Sequence, residues 1–163
     1  MSFVHLHVHS TWSLLDGAIP AEALPHIAAA LGQQAVAITD HDALTGAVRF
    51  TKECRDAGVK PIYGAELTTD RGHVTAIARN ATGYGNLCRL ISKAHLESER
   101  KQPRLAWSDL VEGAEGLFVL SGCSSSEVAR LAAAGHMNEA VEVAKAHRRA
   151  IGDGYRIEVF DHR

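Results

Sequence analysis

The stretch Phe3 to Asp16, FVHLHVHSTWSLLD, constrains this chain more than any other. Histidines stand at alternate positions, His5, His7 and His9. In an extended strand alternate side chains share one face. Asp16 adds a carboxylate a short way on. Neutral imidazole is the commonest protein ligand for zinc and related metals. Closed structural zinc sites favour compact Cys/His fingers, whereas a His-x-His strand followed by Asp suits an open, hydrolytic metal site. The competing reading is a set of half-exposed strand histidines with no ligand.

At 163 residues the chain is long enough for one domain with its own core. A hydrophobic content of 46% and a charged content of 22% are those of an ordinary globular chain. The net charge of -2 supplies no bulk attraction to nucleic acid or to an anionic membrane surface. The cysteines, Cys54, Cys88 and Cys123, are odd in number and lack framework spacing, which points to a reducing compartment. There is no signal-peptide pattern and no apolar run of spanning length, so a cytoplasmic protein without a membrane partner is expected.

Strand-like and helix-like segments alternate. Strands are expected at Phe3–His9, Ala35–Thr39, Lys60–Leu67, His73–Ala78, Gly116–Ser121 and Tyr155–Phe160, the last ending at Asp161-His162. Helices are expected from Pro20 to Leu31, with Leu24, Ile27, Ala28 and Leu31 on the apolar stripe, and from Thr45 to Ala57, stopped by Gly58. Further helices are expected at Tyr84–Leu96, at Trp107–Val111 with Ser108 as a cap, and over Ser126–Ala134 and Asn138–Ile151. Such alternation predicts an α/β fold with a mostly parallel sheet. Metal-competent side chains fall at the carboxyl ends of the expected strands: His7 and His9, Asp40 and His41, Glu66, and Cys123. That end is where α/β barrels build their sites.

The candidates differ in kind. His41 lies in Thr-Asp-His-Asp at a strand end, where Asp40 is expected to act as a cap. Glu66 has apolar neighbours, and a lone buried carboxylate there needs a cation or donors. Cys123 reads equally as a small buried residue or a ligand. His73 precedes its strand, so the strand-end rule places it on the surface. His95, His136 and His147 are expected to be solvated on helices, with His26 at a helix edge. Ser10 and Ser13 lack an identifiable base–carboxylate pairing, and no Gly-rich phosphate loop is present. Arg89, Lys93, Arg100, Lys101 and Arg104, diluted by Glu97 and Glu99, read as a solvated face. An imidazole–carboxylate cluster of this sort predicts metal-assisted hydrolysis of a phosphoester.

The segments HLHVHSTWSLLDG, AITDHDALTGAVRF, KPIYGAEL, HVTAIARNATGYGNLCRLIS and EGLFVLSGC, in that order, resemble the N-terminal PHP (polymerase and histidinol phosphatase) domain of bacterial DNA polymerase III alpha subunits, replicative or error-prone. The resemblance covers Phe3 to His162. It implies a distorted (β/α)7-type PHP barrel, here with about six strands and the last one missing, so that residues 1–163 form a single, C-terminally truncated PHP domain. It implies two or three divalent ions, zinc, manganese or iron. Carried over position by position, the family's ligands fall on His7, His9, Asp16, His41, Glu66, His73 and Cys123, the first five also serving in catalysis, while His5 stands behind them. The family's final Asp-x-His has no counterpart here, and Asp161 and His162 match a different stretch.

The implied activity is a metal-dependent phosphoesterase, with 3′–5′ exonuclease proofreading on a DNA 3′ end. The alternatives are a metal-binding scaffold without turnover and a histidinol-phosphatase-like small-molecule phosphatase. The implied partners are DNA, the rest of a polymerase chain and, through an open barrel edge, a second copy of the chain.

Overall fold

The structure is a computed structural model and describes residues 3–160. The expected strand end at Asp161-His162 lies outside the described residues. The chain divides into two compact units, with the boundary after Glu66.

The first unit holds α1 (Leu24–Ala30), β1 (Ala35–Ile38), α2 (Ala47–Ala57) and the start of β2 (Lys60–Thr69). The segment before α1 is extended but irregular. The Ala37 N–H donates to the His5 carbonyl at 3.0 Å and the Thr39 N–H to the Val8 carbonyl at 2.9 Å. Residues 5 to 8 thus face residues 37 to 39, one residue more on the N-terminal side, which is a bulge. Side chains take over the remaining ladder positions. Thr39 Oγ1 accepts from the Val8 N–H at 2.7 Å, and Gln33 Oε1 from the His5 N–H at 3.1 Å. A side-chain hydroxyl satisfies the amide but breaks strand geometry.

Helix α1 starts later than its pattern suggests. Pro25, not Pro20, occupies the opening turn, where a missing N–H costs nothing. Leu24, Pro25 and Ala28 are buried, while Ile27 and Leu31 are exposed. In α2, Ala47, Phe50 and Cys54 recur at helical spacing and are buried. Gly58 closes that helix with φ of 68°, a conformation that penalises any Cβ. These faces meet Val36, Ile38 and Val59 in one core, with Val8 and Tyr63 packed against it. Removing the fully buried Phe50 side chain from such a core costs about 3–5 kcal/mol.

β1 and β2 pair in parallel from Ala35↔Lys60 to Ile38↔Tyr63. The same offset continues to a bridge between His41 and Glu66. The apolar strands therefore deliver both ligand-type residues at matched heights.

The second unit begins with the end of β2 and contains β3 (Gly72–Ala78), α3 (Ala81–Glu97), α4 (Trp107–Glu112), β4 (Leu117–Leu120), α5 (Glu127–Ala133), α6 (Met137–Ile151) and β5 (Tyr155–Arg156). β3 and β4 pair antiparallel, and β4 and β5 in parallel. The expected mostly parallel sheet is therefore corrected to a mixed one. The cause is local: Asp70 and Arg71 alone separate β2 from β3, and a parallel crossover needs about a dozen residues or more.

Caps account for other shifts. Asn80 accepts from the Gly83 N–H at 2.9 Å and starts α3 ahead of the expected Tyr84. The expected Ser108 cap is replaced by Asp70, whose carboxylate accepts from the Trp107 N–H at 2.9 Å. β5 is cut short because the Ser121 hydroxyl accepts from the Glu158 N–H at 2.9 Å. No helix among the described residues is long and apolar enough to cross a membrane.

Candidate metal centre

The loop after the bulged segment is wound around one buried carboxylate. Asp40 Oδ1 accepts from the Ser10 N–H at 2.6 Å and from the Ser13 hydroxyl at 2.7 Å, and Oδ2 accepts from the Ser10 hydroxyl at 2.8 Å. Several donors are what a buried carboxylate requires. Asp40 therefore does more than cap a turn. Ser10 and Ser13, which have no evident carboxylate partner in sequence, both have one in space. Gly17 closes the loop against the Ser10 carbonyl, where a Cβ would lie 1.8 Å from the oxygen.

On this frame the imidazoles converge. His7 Nε2 lies 3.1 Å from His9 Nε2 and 2.7 Å from Glu66 Oε2. His9 Nε2 is 3.6 Å from the same carboxylate oxygen. His41 Nδ1 is 3.3 Å from Glu66 Oε1, and His41 Nε2 is 3.1 Å from Asp16 Oδ2. The His9 and His41 rings lie 4.5 Å apart. Glu66 is only 1% exposed, whereas Asp16 stands open to solvent. His5 is exposed, its ring edge-on to Phe3, since the bulge breaks simple alternation.

These contacts form two groups able to hold a metal ion: His7, His9 and Glu66, and His9, Asp16 and His41. The donor chemistry fits. Two imidazole nitrogens 3.1 Å apart that both approach one buried carboxylate oxygen need a hydrogen or a metal ion between them. Imidazole with carboxylate oxygen suits zinc, manganese and iron.

His73 and Cys123 lie in the second unit, where Cys123 Sγ is 3.7 Å from His73 Nδ1. The strand-end rule sends His73 to the surface, yet it is half-buried beside a thiol. The rule assumes parallel strands. β3 runs against β4, so the start of β3 adjoins the end of β4. Gly122, with φ of 87°, seats the turn there, and a Cβ would lie 2.1 Å from the His73 carbonyl oxygen.

The other histidines sort by environment. His26 pairs with Glu53 at 3.0 Å on the surface, and His95 and His136 are exposed. His147 is not solvated as expected but buried, 3% exposed. Cys54 is a core residue whose thiol burial pushes up to about 11, so it is inert as a nucleophile. Lys93 donates to Asp109 at 2.7 Å, which accords with a solvated, paired face rather than an anion-binding one.

The PHP domain family matches residues 5–162. The chain belongs to the PHP domain family. This PHP domain is 43% identical to a DNA polymerase III subunit alpha of Treponema pallidum, over 99% of this chain and 15% of the relative. It is 41% identical to an error-prone DNA polymerase of Symbiobacterium thermophilum, over the full chain and 17% of that protein. It therefore spans roughly a sixth of these relatives. Among solved structures, an amidohydrolase from Chromobacterium violaceum gives a TM-score of 0.48 at 24% identity, over 57% of this chain and 33% of that one.

Proposed function

We propose that this PHP domain is part of a DNA polymerase III alpha-type protein, where it binds two or three divalent ions and hydrolyses a phosphoester at a DNA 3′ end. One observation carries the reading: three imidazoles and two carboxylates from separate segments approach one another within hydrogen-bonding distances beyond the end of β1 and alongside β2. His7, His9 and Glu66 would hold one ion, with Asp16 and His41 available to a second. His73 and Cys123 are proposed as further ligands. When bound, such ions polarise a phosphoryl oxygen and make water a nucleophile near neutral pH. Buried Glu66 supplies fixed negative charge, and exposed Asp16 lies where a substrate could arrive.

A polymerase setting favours DNA over a small phosphomonoester, because the relatives bear polymerase names. The test combines metal analysis of the purified chain with release of nucleotides from 3′-labelled single-stranded DNA in manganese or zinc. We expect bound metal and release, with release lost in His9→Ala and Asp16→Ala. Bound metal without turnover on any phosphoester would establish the scaffold reading. Turnover on phosphomonoesters alone would establish a small-molecule phosphatase.

A further inference from the structure

We propose that Ser13, clamped by Asp40, is a positioning residue that sets the tautomer of His9 and so decides which ring nitrogen is offered to a cation. This rests on the metal-binding reading above and goes one layer outward from it. Ser13 and Asp40 are 0% and 1% exposed, so water does not compete for their hydrogen bonds.

The chain of donors runs one way. Asp40 Oδ1 already accepts a main-chain N–H, which can only donate, from Ser10. An ionised carboxylate only accepts, so the Ser13 hydroxyl spends its single proton on Asp40, at 2.7 Å. Ser13 Oγ is then an acceptor towards everything else. It accepts the His41 N–H at 3.1 Å, which ties the main chain of a second candidate ligand to the same oxygen. It also lies 2.8 Å from His9 Nδ1. That contact is a hydrogen bond only if Nδ1 carries the proton. His9 Nε2 is then left with its lone pair, and Nε2 is the nitrogen that approaches His7 and Glu66. Outer partners of this kind orient ligand imidazoles and typically change metal affinity by about 10–100-fold.

The experiment uses the full chain, metal-free and folded, with folding checked by circular dichroism. Ring nitrogen shifts from NMR report the His9 tautomer, and zinc competition against a chelator reports affinity. In the parent protein we expect the proton on Nδ1. Ser13→Ala should shift it towards Nε2 and weaken zinc binding about 10–100-fold. Asp40→Asn keeps its amide oxygen where Oδ1 accepts the Ser10 N–H and the Ser13 hydroxyl, turns its NH2 towards Ser10 Oγ, and should leave the proton on Nδ1. A protonated Nε2 in the parent overturns the inference, and this can be read even if neither variant folds. A folded Ser13→Ala that keeps the parent tautomer and zinc affinity also overturns it. A parent that binds no zinc yet carries the proton on Nδ1 supports the relay while sinking the metal reading, so the two failures are distinct.

Discussion

His9 in the first unit has a serine hydroxyl 2.8 Å from one ring nitrogen and another imidazole 3.1 Å from the other. His147 in the second unit stacks on Trp107, with ring centroids 4.0 Å apart, and neither of its nitrogens has a hydrogen-bond partner among the described residues. Glu127 Oε2 lies 3.4 Å from His147 Nε2 and 3.6 Å from Arg71 Nη1 without a hydrogen bond to either, and the Tyr155 hydroxyl makes none among the described residues. Burial holds the His147 imidazole below its ordinary pKa, with the Arg71 charge adding to the effect and Glu127 opposing it. Burial likewise pushes the Tyr155 hydroxyl up to about 12. One histidine is ringed by groups that fix its protons and face a shared point. The other is a flat surface packed against an indole. Withdrawal from water does not make an imidazole a ligand. The proposed metal role of His9 rests instead on converging carboxylates and a fixed tautomer.

The largest expected effect tests the first half of that contrast. Glu66→Gln keeps the shape but removes the charge shared by His7, His9 and His41, and should lower zinc affinity by about 100-fold or more. Unchanged affinity in a chelator competition would mean that these imidazoles are gathered for packing alone. Next, Trp107→Ala should cost about 3–5 kcal/mol in denaturant unfolding while zinc uptake persists, since its ring serves as a packing surface. A cost below about 1 kcal/mol would remove the packing interpretation of His147.

His147→Leu should change stability by no more than about 1 kcal/mol, because it also removes two buried nitrogens that lack partners. His7→Leu, in contrast, should lower the amount of zinc bound. A strongly destabilised His147→Leu would show that the Glu127 contact matters more than its geometry suggests. The smallest effect is one of pH. The unfolded chain takes up a proton near the ordinary value of 6.5, and folded His147 resists doing so. Stability should therefore hold above that value and fall as the pH drops below it. The loss of melting temperature between about pH 7 and about pH 5.5 should be smaller in His147→Leu than in the parent.

Much of this was legible in one dimension. The apolar run Ala35–Thr39 and the Gly58 stop both place their elements correctly. His7, His9, Asp16, His41 and Glu66 are brought together as their residue types suggest. The Phe3–His9 and Tyr155–Phe160 segments read as full strands but are not, because Thr39 and Ser121 hydroxyls occupy ladder positions. No local pattern announces such a substitution. The burial of His147 is not legible in sequence, because helical periodicity marks a face and says nothing about which aromatic ring will cover it.

The residues alone determined that imidazoles and carboxylates lie beside apolar segments able to hold them, since hydrophobic spacing acts over a few residues. Only the tertiary structure decided which groups meet. The Asp40–Ser13 and His41–Asp16 contacts join residues 27 and 25 positions apart in the chain. The reversal of β3, imposed by a short turn, set His73 beside Cys123 across a separation of 50. Local chemistry chooses the ligands available, whereas chain direction and packing choose their partners, because hydrogen bonds and ion contacts act only over a few ångströms.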